Sequence, residues 1–204
     1  LKSLLLVNEK LKNFKKSKEI AQALEELNID VSVEKVYFDT LIILNDPILS
    51  YEKRTELLFE IFKENKIIQR IFATFLIQSN REFFFSNIDM FDCEKLIDIL
   101  WYQKKEDIDF DKIKNNQFLN ELYSAKNYIN SVSTSSDFDL NILILINKYQ
   151  KDIKTNLTFE FICNSCKHSS PFYEARCPNC HSILSLEVKH HLTKAYELSN
   201  QSLQ

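Results

Sequence analysis

The sequence predicts a mainly α-helical chain, a solenoid or bundle of helical hairpins ending in a small β module built on four cysteines. Three observations predict it. Apolar residues recur at helical spacing through most of residues 1–153. Gly is absent, where average usage in a chain of 204 residues gives roughly 14. Cys163-Asn-Ser-Cys166 and Cys177-Pro-Asn-Cys180 form two C-x-x-C pairs separated by ten residues.

The helical part divides as follows. Leu4, Leu5, Val7, Leu11 and Phe14 share one stripe. Ser17 caps a second helix with the stripe Ile20, Ala21, Leu24 and Leu27, and Ser32 caps a third through Val36, Leu41 and Leu44. That helix stops before Asp46-Pro47, because a residue preceding Pro avoids the helical region. Ser50 starts a fourth with Leu57, Leu58, Ile61 and Phe62, and Ile67–Ile77 reads as a buried helix. Asp92 opens a helix through Leu96, Ile99 and Leu100 to Trp101. Asp109 opens one through Ile113, Phe118, Leu122 and Ile129. Ser131–Asp137 is a loop, and Asp137 caps Leu140–Tyr149. Helix starts near 1, 32 and 67 are spaced by about the 34 residues of a tetratricopeptide repeat, although the signature Trp, Gly and Pro positions of that repeat are not met.

Leu157, Phe159 and Phe161 alternate with polar residues as a strand into the first cysteine pair. Leu184, Leu186 and Val188 alternate as a strand out of the second. Those six residues are expected to pack the module on the helices, because so small a strand pair exposes too much apolar surface alone. The organisation is therefore a helical scaffold over 1–153, a four-cysteine module over 154–188 and a terminal helix over 189–204.

Each C-x-x-C places two thiolates on one turn, and two facing turns make a tetrahedral site for one metal ion per chain. Cys163, Cys166, Cys177 and Cys180 are the ligands, with Zn²⁺ expected and iron the alternative. A complete four-thiolate shell leaves no position for substrate or water. Cys93, beside Leu96 and Ile97, reads as a buried core thiol. His168, His181, His190 and His191 read as surface or supporting groups, since four cysteines already fill a tetrahedron. Trp101 and Phe83-Phe84-Phe85 read as core.

Several function classes are excluded. Without Gly no P-loop, dinucleotide fingerprint or nucleophile elbow can be written. No Ser/His/Asp or paired-carboxylate arrangement stands out, so no catalytic residue is named and no enzyme is expected. Net charge is −3 and the pI about 5.9. Around the cysteines Lys167, Arg176 and Lys189 balance Glu160, Glu174 and Glu187. No nucleic-acid partner is expected on that ground. Paired cysteines fit a reducing, cytoplasmic compartment. Asp39, Arg70 and Asn141 interrupt the apolar stretches, so no segment reads as membrane-spanning.

Phe161-Ile162-Cys163-Asn164-Ser165-Cys166 and Arg176-Cys177-Pro178-Asn179-Cys180, at their ten-residue spacing after a helical body, resemble the lipopolysaccharide assembly protein B family. In that family tetratricopeptide repeats precede a rubredoxin-type metal domain. The chain departs from the pattern at Lys167, where the family has Gly, and at Ala175, where it has Trp; Phe172 and Tyr173 are near enough to fill that space. The resemblance implies a non-enzymatic adaptor at the inner face of the bacterial inner membrane. Its partners there are a membrane AAA protease and a deacetylase of lipid A synthesis. The chain begins at Leu1 rather than Met, and the family carries a membrane helix ahead of such a body. Two other functions fit the module: a zinc-ribbon nucleic-acid or transcription factor, and a rubredoxin-like electron carrier.

Overall fold

A computed structural model describes residues 2–150 and 155–194. It is mainly helical, with ten α-helices and one small antiparallel sheet among the described residues. No helix among them is long and apolar enough to cross a membrane. The chain divides into two compact units, Leu1–Asn87 with Ala175–Ser185, and Ile88–Glu174 with Leu186–Gln204.

The first unit holds α1 (Lys2–Lys10), α2 (Phe14–Glu26), α3 (Ser32–Asn45), α4 (Tyr51–Glu64), α5 (Gln69–Ser79) and α6 (Arg81–Ser86). Each helix packs on the next in the chain. The expected boundary before Asp46-Pro47 holds, since α3 ends at Asn45. Ser50 caps α4 as expected, its Oγ accepting the Lys53 N–H at 3.2 Å. The first boundary differs. The stripe does not run to Phe14; α1 stops at Lys10, and Lys12 turns left-handed at φ 57°. Asn13, not Ser17, then caps α2 by accepting the Lys16 N–H, and Ser17 is buried inside the helix. Both residue types cap helices well, and here Asn13 stands at the boundary after the left-handed Lys12. Apolar stripes close the core, with Leu24, Phe38, Leu58, Phe62, Phe72 and Leu76 almost wholly buried.

The segment Ala175–Ser185 is part of this unit's core. Ile183 is buried in one cluster with Leu5, Ile20, Leu24, Tyr37 and Phe38, and Ala175 and Leu184 pack against it. Arg176 bridges to Ile183 in backbone pairing. Its guanidinium meets the Glu9 carboxylate of α1, with Nε 2.9 Å from Oε2 and Nη2 on the same oxygen. Tyr37 of α3 donates to the other Glu9 oxygen at 3.0 Å, and Arg176 Nη1 reaches the His181 carbonyl.

The second unit begins with 3-10 turns and α7 (Ile97–Trp101), followed by α8 (Phe110–Ile113), α9 (Gln117–Ala125) and α10 (Phe138–Tyr149). The single helix expected from Asp109 to Ile129 is two. Asp109 caps α8, but the chain breaks at Asn115-Asn116 and Asn116 caps α9. Asn120 Nδ2 bonds the carbonyls of Ile113, Lys114 and Asn116 and so holds the break. The Ser131–Asp137 loop is pinned from below. Buried Glu121 accepts from Gln117 at 2.8 Å and from Ser135, whose N–H goes to Asn141. Asp137 caps α10 as expected.

β1 (Thr155–Cys163) lies between β2 (Ser169–Ser170) and β3 (Leu186–Lys194). β1 and β3 pair in register from Thr155 opposite Lys194 to Cys163 opposite Leu186. Leu157, Phe161 and Leu186 are buried, and β1 and β3 meet α10 while β3 also meets α7. Phe159 and Val188 are half-buried, Phe159 edge-on to Tyr102. Lys189–Lys194, expected as the start of a terminal helix, is strand. Six backbone partners on β1, Thr155–Glu160, pair with it, and pairing outweighs local helical propensity. The rest of that expected helix, 195–204, lies outside the described residues, as do 151–154 at the expected edge of the module.

The Glu9–Arg176 pair is mostly withdrawn from water, its side chains 16% and 17% exposed. Removing one partner strands the other. Glu9→Ala is expected to destabilise the protein by about 2 kcal/mol, and Glu9→Ala with Arg176→Met by clearly less than the sum of the single changes. Urea denaturation of the four proteins of this cycle checks it; additive losses would show that the pair contributes nothing.

Candidate metal centre

Residues 163–168 and 177–182 adopt the same turn. In the first, the Lys167 N–H bonds the Cys163 carbonyl at 2.8 Å and the Cys163 N–H bonds the His168 carbonyl at 2.9 Å. In the second, the His181 N–H bonds the Cys177 carbonyl at 3.0 Å and the Cys177 N–H bonds the Ser182 carbonyl at 2.9 Å. Lys167 and His181 both take φ 62°. A left-handed residue after the second cysteine folds the chain back around the two thiols, so the four-residue spacing makes a knuckle.

The first knuckle grows out of the end of β1, and β2 fixes its exit by pairing Phe161 with Ser170. The second is held by the Arg176–Ile183 bridge and by the Leu184 N–H on the Ala175 carbonyl at 2.6 Å. The sulfurs of Cys163, Cys166, Cys177 and Cys180 all lie within 4.8 Å of one another. A tetrahedral site with metal–sulfur bonds of 2.3 Å has edges of about 3.8 Å. The four thiols are therefore close enough together to hold one metal ion. None of the five cysteines is in a disulfide. Cys163 and Cys177 are wholly buried, Cys166 is half-buried and Cys180 exposed. Ser182 Oγ stands 3.3 Å from Cys180 Sγ, in place to donate to that sulfur once it is a thiolate.

The other singled-out residues lie away from this cluster. Cys93 is buried, and burial first, then the Asp92 and Asp89 carboxylates, push its thiol up to about 12. Such a thiol is neither nucleophile nor ligand at neutral pH. Trp101 is buried and donates to Asn156 at 3.0 Å, and Phe84 and Phe85 are core. His168 and His181 are exposed. His190 contacts Asp137 at 3.1 Å. His191 contacts Glu160 at 3.0 Å, and that hydrogen bond, with one from Ser169, holds the Glu160 carboxyl below its ordinary value. Sequence reasoning missed two things. One is the left-handed turn at His181, the counterpart of Lys167, which aligning the two C-x-x-C-x-x segments would have found. The other is Glu9, for which no sequence signal exists, since 167 positions separate it from Arg176.

No protein-family model matches the sequence, and no curated protein matches it.

One transition-metal ion per chain is expected in protein purified without added metal, and less than about half an equivalent would sink the centre. Thiol titration checks the roles: none of the five cysteines reacts in the loaded protein, four react after chelation, and Cys93 follows only in denaturant.

A non-Gly residue in the left-handed region costs about 1 kcal/mol. Lys167→Gly and His181→Gly are each expected to stabilise the loaded protein by roughly 0.5–1 kcal/mol, part of the gain being offset by a freer unfolded chain. Thermal melts of the metal-loaded variants measure it; a loss at either position would mean that the side chain itself supports the knuckle.

Proposed function

We propose that this chain is a metal-stabilised, non-catalytic protein-interaction adaptor with Zn²⁺ on Cys163, Cys166, Cys177 and Cys180. One observation carries the reading: the hairpin of the second knuckle is built into the hydrophobic core of α1–α3, with Ile183 inside the cluster and Arg176 on Glu9. A metal placed there acts as architecture. It would hold the end of a helical surface in shape, and a closed thiolate shell offers a substrate no open position. Stacked helices present long surfaces suited to partner proteins.

The client follows from the resemblance of the two knuckles and their spacing. On that basis the adaptor works at the inner face of the inner membrane, bringing a lipid A-pathway deacetylase to a membrane AAA protease. Depleting the protein in its host is then expected to raise deacetylase abundance and lipopolysaccharide together. Quantitative immunoblotting and lipopolysaccharide assay measure the two. If neither moves, the pathway is wrong; if the purified protein turns over a small molecule, the adaptor reading fails as well. Metal analysis separates the electron-carrier alternative, which needs iron that cycles reversibly between oxidation states.

A further inference from the structure

A pocket of about 340 Å³ opens in the first unit between the α1–α2 and α3–α4 turns. Phe14, Ile42, Pro47 and Ile48 give it apolar walls, and Lys12 and Lys15 stand at it. Its volume is at the small end of ligand pockets, enough for one large apolar side chain and its neighbours. Ile48 is 89% exposed, more than any other large apolar residue described, and Leu11 beside Lys12 is 71% exposed.

The charge around it is mainly positive. Residues 10–18 contain five lysines and no acid, in a chain of net charge −3. Lys16 is neutralised by Glu19 and Lys18 by Asp39. Lys10, Lys12 and Lys15 pair with no carboxylate among the described residues. Asp46 also lines the pocket as its one acid, its Oδ1 accepting the Ile48 N–H at 2.9 Å, so two lysines face one carboxylate there. Lys15 and Lys16 occupy the first turn of α2, where the helix dipole favours acids and α2 has none. An incoming carboxylate would relieve that repulsion.

We propose that this pocket docks an acidic segment of a partner protein, with an apolar side chain seated against Phe14 and Ile42 and flanking carboxylates on Lys12 and Lys15. The proposal rests on the adaptor reading and names the chemistry of the partner. A protein segment is favoured over a lipid surface or a nucleic acid by the concavity. Phosphates would use the lysines but leave the apolar walls unfilled.

The test is a titration of ¹⁵N-labelled, zinc-loaded full chain with a short synthetic peptide carrying Leu-Phe between runs of glutamate. Amide shifts are expected at Lys12–Lys15 and Ile42–Ile48, weakening as salt rises. Replacing the glutamates by glutamine, or Leu-Phe by Ala-Ala, should abolish them. Lys12→Glu with Lys15→Glu should weaken binding at least about tenfold, a loss of roughly 1.4 kcal/mol. An acid suits position 15, in the first turn of α2, and an otherwise unchanged amide spectrum of the free double variant excludes unfolding as the cause. Ile48→Ser, at an exposed position, should weaken it several-fold. Binding indifferent to these changes overturns the proposal. So does a peptide that leaves these amides still, whether or not phosphatidylglycerol vesicles or a single-stranded oligonucleotide shift them. If the peptide fails while depletion still raises the deacetylase, only the pocket falls; if the peptide binds and depletion has no effect, the pathway falls and the docking pocket stands.

Discussion

Four sulfurs within 4.8 Å of one another, two of them fully buried, can be thiolates only around a cation. Two unit charges 4 Å apart repel by about 4 kcal/mol at the effective dielectric of a protein surface, and four thiolates make several such pairs. Without a cation nothing offsets that repulsion, and a metal ion would turn it into attraction toward one centre. Cysteine must be deprotonated to bind a metal. Metal affinity is therefore tied to pH, and the shape of the knuckles to both. Everything around them is arranged to let the backbone reach that geometry: β1 and β2 at the first knuckle, and the Arg176–Glu9–Tyr37 network at the second.

That network explains why the second knuckle behaves as core. Ile183 replaces solvent against Leu5, Ile20 and Phe38, and Arg176 brings a charge into a site where Glu9 and the His181 carbonyl satisfy it. A guanidinium with two partners and a carboxylate with two donors can be withdrawn from water at small net cost, whereas either one alone could not. The arrangement couples the thiol turn to α1 and α3 by side chains rather than by chain connectivity.

Much of this was legible in the chain itself. The grouping of the four cysteines was, because C-x-x-C spacing is a local signal that two thiols share a turn. The helices from Ser32 to Ser79 were, because their apolar stripes are long and Asp46-Pro47 and Ser50 mark one break by backbone sterics and capping. What was not legible was decided by competition between similar options. Asn13 against Ser17, and Asn116 against a continuous helix, are choices between side chains that cap about equally well. Lys189–Lys194 becomes strand because β1 stands across from it at six positions, a fact of tertiary pairing that no window of sequence contains. The Glu9 contact lies further still from any local pattern.

The missing glycine links these observations. Six described residues turn left-handed, Lys12, Asn28, Asn127, Lys167, His181 and Leu184, and none can be glycine in a chain that has none. Three of them end helices. The N–H groups of Asn13, Ile29 and Tyr128 reach back five residues to the carbonyls of Asn8, Leu24 and Tyr123, closing the bond pattern that usually follows a glycine. At Asn28 and Asn127 a short amide side chain tolerates the conformation. At Lys12, Lys167 and His181 the chain accepts strain, and something must hold each turn in place. The metal would do so at the two knuckles. At Lys12 the holding falls to the bonds of the α1 end and to Asn13 capping α2. A chain built this way has to place its tight turns where a ligand, a cap or a core residue such as Leu184 constrains them. Its left-handed residues therefore mark the two cysteine knuckles and the turn beside the pocket as well as the ends of helices.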